Sequence, residues 1–124
     1  MEANTTTFGE FLRQKRTESG ITLRKLAEML DFSAPFLIDV EKGNRNPPDL
    51  AKLEQIAGIF HLSDEDRQLM FDLAGEKRGS IAPDLPEYIM SRRYVTAALR
   101  IARDLDAGEE EWQWFVDELQ RRKG

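Results

Sequence analysis

The stretch TLRKLAEMLDFSAPFLIDVEKGNRNPP, residues 22–48, predicts two short helices joined by a tight turn. Thr22 and Ser33 each precede an apolar helical pattern, and their hydroxyls can accept a hydrogen bond from the first turn. Pro35 falls at the second position of the later helix, where the amide it lacks would have no acceptor. Gly43 and the prolines after it end that helix. Such a pair of helices is a helix-turn-helix pattern, which many small helical domains contain.

Helical spacing of apolar residues continues on both sides of this stretch. Thr7 and Glu10 predict a capping box ahead of a first helix. Asp49 is positioned to cap a fourth helix, and Ser63 to open a fifth. The residues expected to be buried in the second and fifth helices are Leu26, Ala27, Leu30, Leu69, Met70 and Leu73.

The composition changes after the fifth helix. Residues 77–84 are rich in glycine, proline and charge, which indicates a linker. Residues 85–124 predict further helices, and no strand pattern is visible anywhere in the chain. We therefore expect an all-α protein with a helix-turn-helix domain over 1–76, a linker over 77–84 and a short helical C-terminal extension over 85–124. The last helix carries an apolar stripe of Trp112, Phe115, Val116 and Leu119.

The residue types exclude several classes of site. The chain has no cysteine, so a disulfide scaffold and a thiolate metal site are ruled out. Its single histidine, His61, fits a helix end or the surface better than a metal site. The acidic runs 64–66 and 109–111 fit helix first turns, where the dipole favours acids. Since no nucleophile–base pairing or phosphate loop is visible, we predict no catalytic residue, metal or cofactor, and no enzyme.

Charge and hydropathy bound the location and the partners. The net charge is −5, with 8 basic and 9 acidic residues in 1–60 and 10 and 14 in 61–124. Any nucleic-acid surface must therefore be a local basic patch. No apolar run approaches the roughly 18 residues of a membrane span. Residues 1–10 lack the basic and apolar segments of a signal peptide. These features predict a cytoplasmic protein with no membrane partner.

Residues 7–74 resemble the XRE/Cro-type helix-turn-helix domain of phage repressors and many bacterial regulators. The segments that carry the resemblance are LRQKR, GITLRKLAEML, FSAPFLIDVEKGNRNPP and LAKLEQIAGIFHLS. Its most specific pieces are Leu26-Ala27, Glu41-x-Gly43 and the Arg-x-Pro of residues 45–47. The resemblance implies a five-helix, phage-repressor-like domain whose third helix enters the major groove of double-stranded DNA. It also implies a structural ion pair between Arg16 and Glu41.

The resemblance places four residues on the DNA-reading face of the third helix: Ala34, Pro35, Ile38 and Asp39. Relatives often carry Gln, Arg, Asn, Ser or Thr there, and Gln, Asn and Arg can bond base edges bidentately. In this chain, Ala34, Pro35 and Ile38 can only contact thymine methyl groups, and Asp39 can accept from a cytosine amino group. Two competing interpretations remain. Pro35 and Ile38 suit a protein-binding surface, and Asp39 suits solvent or an intrahelical partner.

The phosphate-binding positions also depart from the family pattern. Leu23 stands where relatives commonly have a phosphate-binding Gln, whereas Thr22 still offers a hydroxyl and the amides of a helix start. Polar and basic residues then cluster directly after the third helix. The phosphate-contact candidates are Arg13, Thr22, Lys42, Asn44, Arg45 and Asn46, and the competing interpretation is ordinary solvated side chains.

These features predict a sequence-specific DNA-binding transcriptional regulator, a homodimeric repressor that reads a palindromic operator with helix 33–42. Trp112 and Trp114 cannot share a helix face, so we expect one to pack inward and the other to meet a second protomer or solvent. The candidate dimer or partner surface is Tyr88, Trp112, Trp114 and Phe115.

A second interpretation assigns the main role to a protein partner. The C-terminal segment resembles tails of phage and mobile-element regulators, some of which are controlled by a partner metallopeptidase or act as antitoxins against a toxin. On this alternative the chain is a protein-interaction module, or an antitoxin-like regulator, that keeps the helix-turn-helix fold.

Overall fold

The computed structural model describes residues 6–124, and within that range all regular structure is α-helical. Residues 1–5 lie outside the described residues, so part of the predicted domain 1–76 and half of the stretch read for a signal peptide do too. The helices are α1 (Phe8–Glu18), α2 (Leu23–Leu30), α3 (Ala34–Lys42), α4 (Leu50–Ile59), α5 (Asp64–Arg78), α6 (Pro86–Met90), α7 (Arg93–Asp104) and α8 (Glu109–Lys123). The chain divides into two compact units, Met1–Pro86 and Glu87–Gly124.

Each of the first five helices begins at a side-chain cap. The side chains of Thr7, Thr22, Ser33, Asp49 and Ser63 each accept a hydrogen bond from a first-turn amide. Such a bond satisfies an amide that has no partner inside the helix. All five starts agree with the sequence prediction, including the capping box of α1. The caps therefore explain why short helices with little intrinsic stability begin where they do.

The first unit has a single apolar core made by α1 to α5. Leu26, Ala27 and Leu30 are buried as expected, and so are Met70 and Leu73. The prediction for Leu69 was wrong, because the inner face of α5 is centred one residue later and leaves Leu69 at the edge of the core. The buried apolar residues are Phe8, Phe11, Leu12, Leu26, Ala27, Leu30, Leu37, Val40, Leu53, Ile56, Ala57, Met70, Phe71, Leu73 and Ala74.

A glycine sets the closeness of α1 to the end of α3. A Cβ atom added to Gly9 would lie 2.7 Å from the carbonyl oxygen of Val40 and closer still to that of Glu41. Only a residue without a side chain lets the backbones approach this closely. Gly9 therefore fixes the C-terminal end of α3 against the first turn of α1.

The segment after α5 stays attached to the first unit. Helix α5 continues through Arg78, two residues into the predicted linker, and Gly79 ends it at a φ of 70°. The Arg78 guanidinium donates to the carbonyl oxygen of Pro47, in the loop after α3. Ala82 packs against the core. The linker over 77–84 stays a prediction, and the division between the two units falls later, after Pro86.

The second unit contains no buried residue over Glu87–Gly124. Its helices α7 and α8 flank an apolar groove of about 420 Å³. Trp112 and Phe115 form an edge-to-face ring pair in this groove, with ring centroids 6.0 Å apart. Trp112 is 39% exposed and Trp114 66% exposed, so neither tryptophan is buried. The groove residues are Tyr88, Tyr94, Val95, Ala98, Leu99, Ala102, Ala107, Glu111, Trp112 and Phe115.

Candidate nucleic-acid interface

The turn between α2 and α3 fixes which face of α3 points outward. Asp31 ends α2 in a left-handed conformation with a φ of 59°, and the amide of Phe32 donates to the carbonyl of Ala27. Leu37 and Val40 then point into the core. The opposite face of α3 carries the predicted reading residues. Pro35 is exposed, and the half-exposed ones are Ala34, Ile38 and Asp39.

An ion pair joins α1 to the end of α3. Arg16 donates through Nε to Glu41 Oε2 at 2.7 Å and through Nη2 to Glu41 Oε1 at 3.1 Å. Its Nη1 donates to the carbonyl of Ile21 at 3.1 Å. The side chains are only 13% and 6% exposed. The hydrogen bonds to Glu41 raise the pKa of Arg16, so the arginine is used up inside the fold and is not free to bind phosphate.

A second pair lies on the reading face, and the sequence did not indicate it. Asp39 Oδ2 lies 3.7 Å from Nε of Arg45, which follows the end of α3. The Arg45 guanidinium also lies over the ring of Phe36, 5.2 Å from its centroid. Asp39 therefore has a partner outside its own helix, contrary to the interpretation that gave it an intrahelical one.

A groove of about 800 Å³ runs beside this face, between the start of α1 and the end of α3. Leu23 and Ile38 form part of its lining, and its acidic residues are Glu10 and Glu41. Since Glu41 is paired with Arg16, the remaining charge of the groove is positive. The groove is thus a local basic patch on an acidic chain. Its basic residues are Arg13, Arg16, Lys42, Arg45 and Lys77.

Lys77 is a member of this patch that sequence reasoning missed. It lies in the last turn of α5, far along the chain from α3, and its position in the sequence suits an ordinary helix-end cation. Lys15 shows the opposite error, because it pairs with Asp66 at 2.8 Å and lies half-buried against α5. No spacing rule separates the two lysines, since the difference arises only when α5 packs beside α1.

The remaining phosphate-contact candidates differ in how free they are. Lys42, Asn44 and Asn46 are exposed directly after α3, and Arg13 is exposed on α1. The Thr22 hydroxyl already accepts from the amide of Lys25 at 3.1 Å, so only its donor capacity remains for a ligand. Over residues 6–124, no group of three or more acidic or histidine side chains is arranged to hold a metal ion. None of the helices in that range is long and apolar enough to cross a membrane.

Comparison with known proteins matches this part of the chain. A family model described as a helix-turn-helix domain matches residues 7–70. The HTH-type transcriptional regulator DdrOP3 of Deinococcus deserti is 30% identical over 74 residues, which are 60% of this chain. The matched part is 57% of DdrOP3, so the chain spans little more than half of that relative's length.

A solved structure, the SinR protein/SinI protein complex, matches 94% of this chain and 98% of its own with a TM-score of 0.43 and 19% identity. The family match covers more than half of the chain, from the cap of α1 into α5. The chain therefore belongs to the helix-turn-helix domain family of DNA-binding transcriptional regulators, in its XRE/Cro-type form.

Proposed function

We propose that the chain is a dimeric, cytoplasmic repressor that binds a palindromic operator with α3 in the major groove. The observation that supports this most directly is the basic groove beside the outward face of α3. Phosphates flank the major groove on both sides, so cations at this place would hold the helix in register with the bases. A dimer would present two such helices about 34 Å apart, one helical turn of DNA.

The phosphate contacts would come from the loop after α3 and from α1. Lys42, Asn44 and Asn46 supply exposed donors there, and Arg13 supplies one from α1. Thr22 would act chiefly through the amides at the start of α2, because its hydroxyl oxygen already caps that helix. Six phosphate contacts per dimer would give a salt slope of about −5 in a plot of log K against log salt.

The reading face would recognise bases mainly by shape and methyl groups. Ala34, Pro35 and Ile38 carry no hydrogen-bonding side chain. Each can contact the methyl group of thymine, and sequence-dependent groove shape can add selectivity without any base contact.

The second unit would supply the dimer interface. Its apolar groove leaves the aromatic residues of α8 exposed, which is typical of an interaction surface. Helix α8 begins with Glu109–Glu111 and ends with Arg121–Lys123, about 22 Å apart for its 15 residues. If two α8 helices pair antiparallel about a twofold axis, each acidic end meets the basic end of the other. This charge arrangement favours a second copy of the chain as the partner.

The DNA-binding proposal is tested by selection from random duplexes at two salt concentrations. We expect the wild-type chain to enrich a palindromic motif whose affinity falls steeply with salt. Lys42→Ala should weaken binding to all sequences alike and reduce the salt slope by about 1. If the wild-type chain enriches no motif even at low salt, the proposal is wrong. Repression is then tested with a reporter gene that carries the selected site.

The dimer is tested by the molar mass in solution. We expect about twice the 14.3 kDa of one chain by light scattering. Phe115→Glu should yield the monomer mass, because it places a charge in the apolar groove. Gln113→Glu adds the same charge on the same helix outside that groove, and should stay dimeric. A monomeric wild type, or a Phe115→Glu variant that stays dimeric, would refute this interface.

The second candidate function is a protein-interaction module, and the apolar side chains beside the reading face favour it. Leu23 and Ile38 line the basic groove, and Pro35 is exposed nearby. A protein partner, such as a metallopeptidase or a toxin, would bury these residues where DNA would leave them near phosphates. The selection experiment separates the candidates, because only the DNA-binding function predicts an enriched motif.

A further inference from the structure

The reading face of α3 lacks a hydrogen-bond donor for bases. Ala34, Pro35 and Ile38 have no polar side-chain atom, and an ionised Asp39 can only accept. A guanine presents two acceptors, O6 and N7, in the major groove. A donor for guanine must therefore come from a residue that reaches this face from outside the helix.

Arg45 is placed to supply that donor. Its Nε lies 3.7 Å from Asp39 Oδ2, and both side chains are about half exposed. Its guanidinium lies over Phe36, whose own ring is 4.8 Å from that of Phe32 and packs against the core. The carboxylate on one edge and the ring beneath hold the guanidinium beside the reading face. Within residues 6–124, its two terminal Nη groups have no acceptor, so they are available for a ligand.

The pair also resolves the electrostatic difficulty of Asp39. A lone carboxylate near phosphates would repel DNA, whereas paired with Arg45 its charge is offset. A phosphate-binding arginine needs no carboxylate beside it, and such a carboxylate would weaken its hold on an anion. A base-reading arginine gains from the carboxylate, because the pair restricts the orientation of a flexible side chain before DNA arrives.

We infer that Arg45 is a specificity-determining residue that binds a guanine in each half-site, and that Asp39 is its positioning residue. The inference rests on the proposed DNA-binding function. It revises the prediction that Arg45 contacts only phosphate and that Asp39 itself contacts a cytosine.

The test begins with the motif selected by the wild-type chain. Each guanine of that motif is replaced singly by adenine, and affinities are measured for the wild type and the variants Arg45→Ala, Arg45→Lys, Asp39→Asn and Lys42→Ala. Adenine places an amino group where guanine has O6, so an arginine that binds guanine loses its second acceptor there. For the wild type we expect one guanine per half-site whose replacement lowers affinity by about 5- to 150-fold.

The variants separate a base contact from a phosphate contact. Arg45→Ala should bring the guanine-to-adenine ratio at that position close to one. Arg45→Lys should keep the salt slope and lose most of the ratio, because a lysine cannot form the planar fork. Asp39→Asn should reduce the ratio without reducing the salt slope. Lys42→Ala is the matched control, which should weaken both duplexes equally.

The opposite pattern would overturn the inference. It fails if Arg45→Ala leaves every base ratio unchanged and reduces the salt slope by about 1, as expected for a phosphate contact. It also fails if Asp39→Asn leaves the guanine ratio at its wild-type value. Both failures presuppose an enriched wild-type motif, whereas the absence of any motif refutes the proposed function itself. Helix content by circular dichroism checks that each variant is folded.

Discussion

The two units of the chain use similar helices in opposite ways. In Met1–Pro86, five capped helices bury their apolar residues against one another, and several of these side chains have no exposed surface. In Glu87–Gly124, the apolar side chains of α7 and α8 remain exposed, with Tyr94 at 70% and Leu105 at 77%. The residue types are alike, so the difference lies in what covers them.

This contrast shows what an amphipathic pattern specifies. It predicts a helix and the direction of its apolar face, but it does not say which surface covers that face. The first unit covers its own helices, so its stability should not depend on protein concentration. If a second copy covers the other unit, the stability of that unit should increase with concentration through mass action.

The largest expected effect comes from Phe71→Ala, which removes a fully buried ring from the core of the first unit. We expect the free energy of unfolding of that unit to fall by about 4 kcal/mol, because a cavity replaces the ring. The transition is measured in urea by far-ultraviolet circular dichroism.

Tryptophan fluorescence provides the internal control for this variant. Both tryptophans of the chain, Trp112 and Trp114, lie in the second unit, so their emission reports on that unit. The fluorescence transition should keep its wild-type midpoint in Phe71→Ala. A shift equal to that seen by circular dichroism would show that the two units unfold together, and the contrast between them would lose its meaning.

The next effect concerns the buried ion pair of the first unit. Arg16→Ala leaves the Glu41 carboxylate, 6% exposed, without its partner. We expect a loss of about 3 kcal/mol in the free energy of unfolding, since an uncompensated buried charge is costly. Glu54→Ala is the matched control, because Arg67 also binds Glu54 through two nitrogens, but at the surface. That change should lower stability by at most about 1 kcal/mol. An unchanged melting temperature for Arg16→Ala, with weaker DNA binding, would contradict the structural role.

Most of the fold of the first unit was predictable because its determinants are local. A cap residue acts on the amides of the next turn, and apolar spacing sets the inner face. The five helix starts and the buried face of α2 follow from such short-range patterns. The resemblance to the XRE/Cro type added the order of the helices and their arrangement. Phe71 escaped prediction because its neighbour Leu69 fits the same helical period almost as well.

The site was less predictable because its determinants are distant in sequence. Lys77 reaches the basic groove only through the packing of α5, and Lys15 is removed from it by Asp66 on the same helix. The pair of Asp39 and Arg45 depends on how the chain turns after Gly43. These arrangements are set by tertiary geometry, which no pattern of residue types along the chain contains.

The smallest effect tests how closely the helices of the first unit approach one another. Gly9→Ala would force a Cβ atom against the carbonyls of Val40 and Glu41, so we expect a loss of about 2 kcal/mol from overpacking. Gly58→Ala, in α4, meets open space and should stabilise the unit by about 0.5 to 1 kcal/mol, because alanine favours a helix. Both variants are measured by urea unfolding followed with circular dichroism. The opposite signs are informative, since the two substitutions are chemically identical and differ only in what surrounds them. Equal effects would mean that α1 moves away from α3 at little cost, and that the first unit is packed no more tightly there than the open groove between α7 and α8.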